Sequence, residues 1–339
     1  MKIAYCDFNH DDFFENYSIT PDSYGGGRIF ASVAKEKIAD FHIFSNEKSF
    51  QTLSPSESKA NCHPLTSEQR AKLRANVPVT EVIENAGDFD LFVHHHVNWN
   101  INLTGLPKAK ECCWAVSVGE ICHPNNKNIL LYNIHQNLRC HNRPNLYKVV
   151  IGLPLPEFQE YKKGDYIFQC TRHTPMFNTI EIAKFCRKYG IQGYFAGPID
   201  KDYPLFDYID NKDTHYLGVI SHEDKVNYLK NARMTTYLHS WPTPFSLSAI
   251  ESLAYGTPIL ASSNGFWSSL IEHNKNGWLI EGVNQTLGVV DKDYSEIILK
   301  AYELSANVNQ RFCYESMSPY SEMNMIDSFY NAFIEIYNK

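Results

Sequence analysis

The chain has no apolar run near the ~18 residues that a bilayer-spanning helix needs, no Cys-x-x-Cys pair, and no excess of basic residues. The first absence removes a membrane-spanning reading. The second argues against a zinc or disulfide framework, because nine scattered cysteines with one adjacent pair, Cys112-Cys113, do not form one. Reduced thiols in a cytoplasmic protein are the expectation. The third, with a formal net charge of −7, leaves no strong electrostatic signal for nucleic acid or membrane. Residues 1–150 set 15 basic against 16 acidic side chains and residues 151–339 set 16 against 22, although residues 101–150 alone carry 6 against 2. The Gly-x-Gly-x-x-Gly spacing of dinucleotide sites, internal repeats and low-complexity tracts are missing as well. Met1 to Asp7 is too short and too soon polar for a signal peptide and reads as a first strand.

What is present fits a two-domain globular protein. A chain of 339 residues, 43% hydrophobic and 14% aromatic, is too long for one ordinary core. Short apolar runs predict strands at 2–8, 41–45, 90–95, 112–118, 129–134 and 147–152, then at 165–170, 192–196, 214–219, 233–239, 258–262 and 277–280. Amphipathic segments such as 178–189 and 222–231 lie between some of them. Alternation of this kind predicts parallel sheets wrapped by helices, repeated twice: an α/β chain. The Gly and Pro punctuation of Ile151-Gly152-Leu153-Pro154-Leu155-Pro156 marks the boundary, giving domains 1–152 and 153–320 and a terminal segment 321–339. The polar stretch 46–89 shows little pattern.

The densest signal is Leu238 to Ile259: a buried strand end, a Pro-rich loop, a helix with Glu251 in its first turns, and a Gly256-Thr257-Pro258 turn into another strand. This layout places a carboxylate near a helix N-terminus at the carboxyl edge of a parallel sheet, where such sheets bind ligands. Glu251 could hold two hydroxyls of one ligand, or be only a terminus carboxylate favoured by the helix dipole by ~0.5 kcal/mol. Tyr24-Gly25-Gly26-Gly27-Arg28 precedes a helix-like run and lets the backbone approach a phosphate or sugar, though a glycine triplet is also an ordinary turn. His94-His95-His96 ends a strand, where successive side chains alternate faces, so the three cannot chelate one metal together. Surface or core-edge histidines are the alternative, and His123, His135 and His239 are weaker candidates of the same sort.

The stretch from Ser240 resembles the nucleotide-sugar signature of family-4 retaining glycosyltransferases. Ser240, Pro244, Phe245, Leu247, Glu251, Leu253, Ala254, Gly256 and Pro258 match in register, while Thr243 replaces the first of the family's two glutamates. The resemblance implies the GT-B architecture, two Rossmann-like domains facing across a cleft. It makes residues 1–152 the acceptor-binding domain and residues 153–320 the nucleotide-sugar domain, with a helix over 321–337 crossing back to the first. Its specific motifs fall within residues 165–280.

By the same resemblance, Glu251 holds the donor ribose and Thr243 stands where a glutamate bonds the donor sugar; Thr243 could equally only close its turn. The backbone amides of Phe245, Ser246 and Leu247 face phosphate. Arg172 matches the arginine that cradles the diphosphate, but Phe177 replaces the lysine five positions on. Lys184 and Arg28 are candidate substitutes. Gly26 and Gly27 match a loop that faces donor and acceptor, and His95 or His96 a histidine at the cleft. Gly197 matches a strand-closing glycine, Val219 a strand whose backbone pairs with the base, and His239 lies near base or phosphate. Arg172 and His95 would then be the catalytic pair, Arg28 and His96 on the acceptor side. The implied reaction is sugar transfer, with retention, from a UDP- or GDP-type sugar to a hydroxyl of a glycan, lipid-linked sugar, metabolite or modified nucleobase. No metal and no cofactor besides this co-substrate are expected. Two alternatives remain: a non-catalytic nucleotide-sugar-binding module or partner subunit, suggested by Thr243 and Phe177, and a sugar-nucleotide epimerase of the same architecture, for which no carboxylate pair is evident.

Overall fold

The computed structural model describes residues 1–6, 40–45, 61–95, 101–114, 128–132, 145–209, 212–240, 243, 245–281, 283 and 293–339. They form two compact units, Met1–Leu153 with Glu322–Lys339, and Pro154–Ser321. Each is built on a fully parallel sheet.

In the first unit, β1 (Lys2–Cys6), β2 (Asp40–Ser45), β3 (Asn61–Pro64), β4 (Leu91–His95), β5 (Lys110–Trp114), β6 (Asn128–Tyr132) and β7 (Leu146–Val149) lie in the order β3-β2-β1-β4-β5-β6-β7. Parallel strands covered on both faces must be apolar throughout, and Ile3, Ala4, Leu91, Phe92 and Val93 are all fully buried. The unpatterned stretch 46–89 contains β3 and helix α1 (Ser67–Arg74), whose start is a Thr-x-x-Gln capping box. Thr66 Oγ1 accepts from Gln69 N at 3.2 Å, and Gln69 Oε1 accepts from Thr66 N at 2.9 Å. His94 is a core residue, fully buried with Nε2 2.9 Å from Glu111 Oε1.

The second unit holds β8 (Tyr166–Cys170), β9 (Gln192–Ala196), β10 (Thr214–Gly218), β11 (Met234–Tyr237), β12 (Ile259–Ser262) and β13 (Gly277–Ile280), in the order β10-β9-β8-β11-β12-β13. Its helices are α2 (Thr179–Tyr189), α3 (His222–Asn231), α4 (Leu247–Ala254), the short α5 (Trp267–Leu270), α6 (Ser295–Ser305) and α7 (Gln310–Glu315). Apolar faces of α2 and α6 supply Ile182, Phe185, Ile298 and Ala301 to a core shared with Ile167, Phe195 and Leu260. The terminal helix α8 (Glu322–Asn338) belongs to the first unit. It buries Phe329, Phe333 and Ile336, and its last carbonyls, Ile336 O and Tyr337 O, accept from Lys110 Nζ at 3.0 and 2.8 Å.

Two local devices hold the second sheet's periphery. Lys163, just before β8, donates its three ammonium protons to Lys230 O, Tyr255 O and Thr257 Oγ1. Burial pulls its pKa down to about 7. At the opposite edge, Gly197 follows β9 with φ +127°, and a Cβ there would lie 1.9 Å from Thr171 O. Only glycine fits, because that carbonyl belongs to the segment leaving β8. Gly197→Ala should therefore destabilise the protein by about 3 kcal/mol, through the strained backbone and the forced displacement of Thr171. A urea-unfolding midpoint within error of wild type would exclude this.

Candidate functional site

In the second sheet, β8 and β11 are neighbours, with Met234 opposite Ile167 and Thr235 opposite Phe168. From β8 the chain turns back through α2 to β9, and from β11 it turns the other way through α4 to β12. The two exits diverge, leaving the crevice where open parallel sheets bind ligands. Arg172 follows β8, and the segment 238–251 follows β11.

The β8 exit is held rigidly. His173 N donates to Pro198 O at 2.7 Å, and Asp200 N returns a bond to His173 O at 3.0 Å. Arg172, between them, pairs its Nε with Asp200 Oδ1 at 2.7 Å, each side chain about a third exposed. The His173 ring is fully buried beside Thr179 Oγ1, 3.0 Å from Nδ1. Burial lowers its pKa to about 4. The two exits are tied to each other. Asn178, in the left-handed region at φ 49°, donates from Nδ2 to Leu238 O at 2.6 Å, and Ser240 N donates to Met176 O at 2.9 Å.

After β11, the His239 ring is packed among Phe177, Trp267 and Tyr237, with centroids 4.4, 5.1 and 6.0 Å away. Its Nδ1 meets Thr243 Oγ1, and burial drives its pKa to about 3, so the ring is neutral. Phe177 and Thr243, the two departures from the family signature, thus meet at one imidazole. Phe245 and Ser246 are half-buried at the start of α4, where the first-turn amides lack intrahelical acceptors. Ser246 Oγ caps Ala249 N at 3.3 Å, and Leu247 opens the helix. Ser248 Oγ donates to Cys170 O at 3.2 Å, fixing α4 to the end of β8.

Glu251 is the fifth residue of α4 and only 6% exposed. Lys225 Nζ lies 2.9 Å from its Oε1 and 2.7 Å from its Oε2. The first contact has hydrogen-bond geometry and the second is an ionic approach. His222 Nδ1 stands 3.8 Å from Oε1. On the far side of β9, Gly218 O accepts from Gly197 N at 2.8 Å, and Val219 beyond it is exposed.

The structure therefore gathers Arg172, His239, Thr243, Phe245, Ser246, Leu247 and Glu251 at one sheet edge, with Val219 two strands away on that edge. Lys184 is engaged elsewhere, 2.8 Å from Glu181 Oε1 and over the Tyr208 ring. Gly26, Gly27, Arg28, His96, His123 and His135 lie outside the described residues. So does the side chain of His95, whose backbone ends β4. Among the described residues, no group of three His, Cys, Asp or Glu is placed to hold a metal, and no helix is long and apolar enough to cross a membrane. The described cysteines are free thiols, and burial raises the pKa values of Cys62, Cys112, Cys170, Cys186 and Cys313. Sequence reasoning passed over Asp200, His222 and Lys225. For Lys225 a signal existed: it lies one helical turn before the buried Leu229 of α3, where a lysine breaks the pattern.

Residues 196–309 match the family model for glycosyl transferases group 1. No curated protein matches the sequence. Among solved structures, Anabaena HepE in complex with UDP aligns over 99% of this chain and 100% of its own, with TM-score 0.70 and 13% identity. Sucrose-phosphate synthase from Thermosynechococcus elongatus aligns over the whole of both chains, with TM-score 0.71 and 13% identity. AviGT4, a glycosyltransferase of avilamycin A biosynthesis, aligns over 100% of this chain and 98% of its own, with TM-score 0.65 and 14% identity. These likenesses establish the GT-B fold.

The buried histidines give the site an acid limit. A group whose folded pKa is lowered favours folding when neutral, so its contribution is complete above the unfolded value of about 6.5 and declines as pH falls towards 4. For His173, with a folded pKa of about 4, the loss at pH 4 is about 3 kcal/mol. Urea unfolding at pH 7, 5.5 and 4 should show a fall at least this large, and His173→Asn should lessen it, leaving the share that His239 contributes. An unchanged slope in the variant would remove His173 as its source.

Proposed function

We propose that this chain is a retaining glycosyltransferase that moves a sugar from a nucleoside diphosphate donor, of UDP type in the first instance, to an acceptor hydroxyl. The observation that carries the reading is the placement of Arg172 and Glu251 on opposite sides of the β8–β11 switch point. Support comes from the group 1 family match, which includes Glu251, and from HepE, a GT-B structure that holds UDP. Glu251 accepts hydrogen bonds from the ribose, and the opening amides of α4, around Phe245, Ser246 and Leu247, meet the diphosphate. Arg172 donates to the diphosphate as the bond between the sugar's anomeric carbon and the diphosphate oxygen breaks. The acceptor oxygen bonds that carbon on the same face, and its proton passes to a diphosphate oxygen. The role of the protein is then to stabilise charge on the leaving group. His95, His96, Arg28 and the Gly26-Gly27 loop are proposed for the acceptor side of the reaction.

A second reading, a nucleotide-sugar binder without transfer activity, is favoured by one observation. The positions where the family signature carries a glutamate and a lysine are occupied by Thr243 and Phe177, both against His239. Slow hydrolysis of UDP-glucose or another nucleotide-sugar by the purified chain would exclude it.

Arg172→Ala should lower transfer by roughly a hundredfold or more while the melting temperature stays near wild type, since the residue is partly exposed and paired at the surface. Near-normal turnover would remove Arg172 from the site. The two motif positions should separate. Glu251→Ala should weaken binding of UDP alone as well as of the full donor, about ten- to a hundredfold. Thr243→Ala should spare UDP affinity and reorder the preference among donor sugars. Equal weakening of nucleotide and nucleotide-sugar by both variants, measured calorimetrically, would show the assignments to be wrong.

A further inference from the structure

Lys225 stands where the fold calls for an apolar side chain. It is one helical turn before Leu229, the fully buried residue of α3, and Ala232, which follows the helix, is fully buried as well. Its side chain is 19% exposed, and its ammonium contacts both oxygens of a carboxylate that is itself 9% exposed. A largely buried ion pair of this kind contributes little net stability compared with apolar residues of similar shape, so folding gives no reason to prefer it. The pair lies close to the crevice. Lys225 and Glu251 act in opposite directions on the thiol of Cys170, the last residue of β8.

A carboxylate has about four lone-pair sites on its two oxygens. Lys225 hydrogen-bonds Oε1 and approaches Oε2, which is buried without a hydrogen-bond partner among the described residues, so acceptor sites on both oxygens are left for two neighbouring hydroxyls. Such a diol is the 2′,3′ pair of a ribose. We infer that Lys225 is a positioning residue of the donor site, clamping the Glu251 carboxylate in the single orientation that accepts both ribose hydroxyls. This rests on the proposed donor reading. Without the clamp the carboxylate is free to rotate, and the paired acceptance is lost. With it, a donor lacking the 2′ hydroxyl leaves one desolvated acceptor unmatched, so the clamp makes the site selective for ribose over deoxyribose.

The test is calorimetric binding of UDP and 2′-deoxy-UDP, with GDP and 2′-deoxy-GDP in parallel, to the full chain. Wild type should prefer the ribose form by about tenfold or more. Lys225→Met should lose most of that preference, because UDP affinity falls about tenfold while 2′-deoxy-UDP affinity changes by less than about twofold. Lys225→Arg should restore part of it. Since Lys225→Met leaves Glu251 buried without its cation, the double variant K225M/E251Q keeps the site neutral and should melt near wild type. Its preference should be no lower than that of K225M alone. A Lys225→Met protein that keeps the wild-type preference overturns the inference. So does one that weakens both nucleotides equally, which would place the ammonium on phosphate instead. Failure of wild type to bind any of the four nucleotides would instead refute the donor reading beneath it.

Discussion

The site depends on how the second unit manages two chain segments that must part company. Strands β8 and β11 are hydrogen-bonded neighbours, yet the chain leaves them in opposite directions. A crevice opened this way would be loose unless the departing segments were fastened. Asn178 bonds Leu238 O, Ser240 bonds Met176 O, and Ser248 bonds Cys170 O, so each exit is fixed by the other. The Phe177 ring, tilted against His239, fills the gap between them with apolar surface. Arg172, Thr243 and Glu251 take their places from this fastening.

Much of this was legible in the sequence. All the buried strands register as apolar runs, because a parallel strand covered on both faces must be apolar throughout. The GT-B class came from the resemblance of the stretch from Ser240 to a family signature, while patterning alone gave only two parallel-sheet α/β domains. The edge strand β3 was not legible: Asn61-Cys62-His63-Pro64 is short, pairs on one side only, and needs no apolar run. The capping box at Thr66 was present in the letters but is too common a pattern to place an element alone. The placement of Arg172 and Glu251 at one sheet edge could be read, Arg172 from the strand end before it and Glu251 from the helix that follows β11. Asp200 gave no signal, and although Lys225 broke the pattern of its helix, its pairing with Glu251 could not be read, since each meets its counter-charge only in three dimensions. The contact between His239 and Thr243 likewise depends on a loop conformation that no periodicity encodes.

The described charges at this edge occur in opposed pairs. Arg172 faces Asp200 and Glu251 faces Lys225. In a chain with a formal net charge of −7, an anionic diphosphate gains little from the long-range field. In the proposed donor reading, its attraction would come at short range, from oriented amides and the guanidinium. Recognition of this kind depends on geometry and tolerates salt better than a basic patch would.

The buried amine of Lys163 has a mechanical consequence. Lys230 O and Tyr255 O lie at the carboxyl ends of α3 and α4, and one ammonium holds both. About one turn back along each helix, Lys225 and Glu251 meet. The two helices are hinged at a common pin behind the site, so neither can slide along its axis without the other. Any adjustment of the pocket to its occupant must carry α3 and α4 as one body, leaving the strand exits to supply the give.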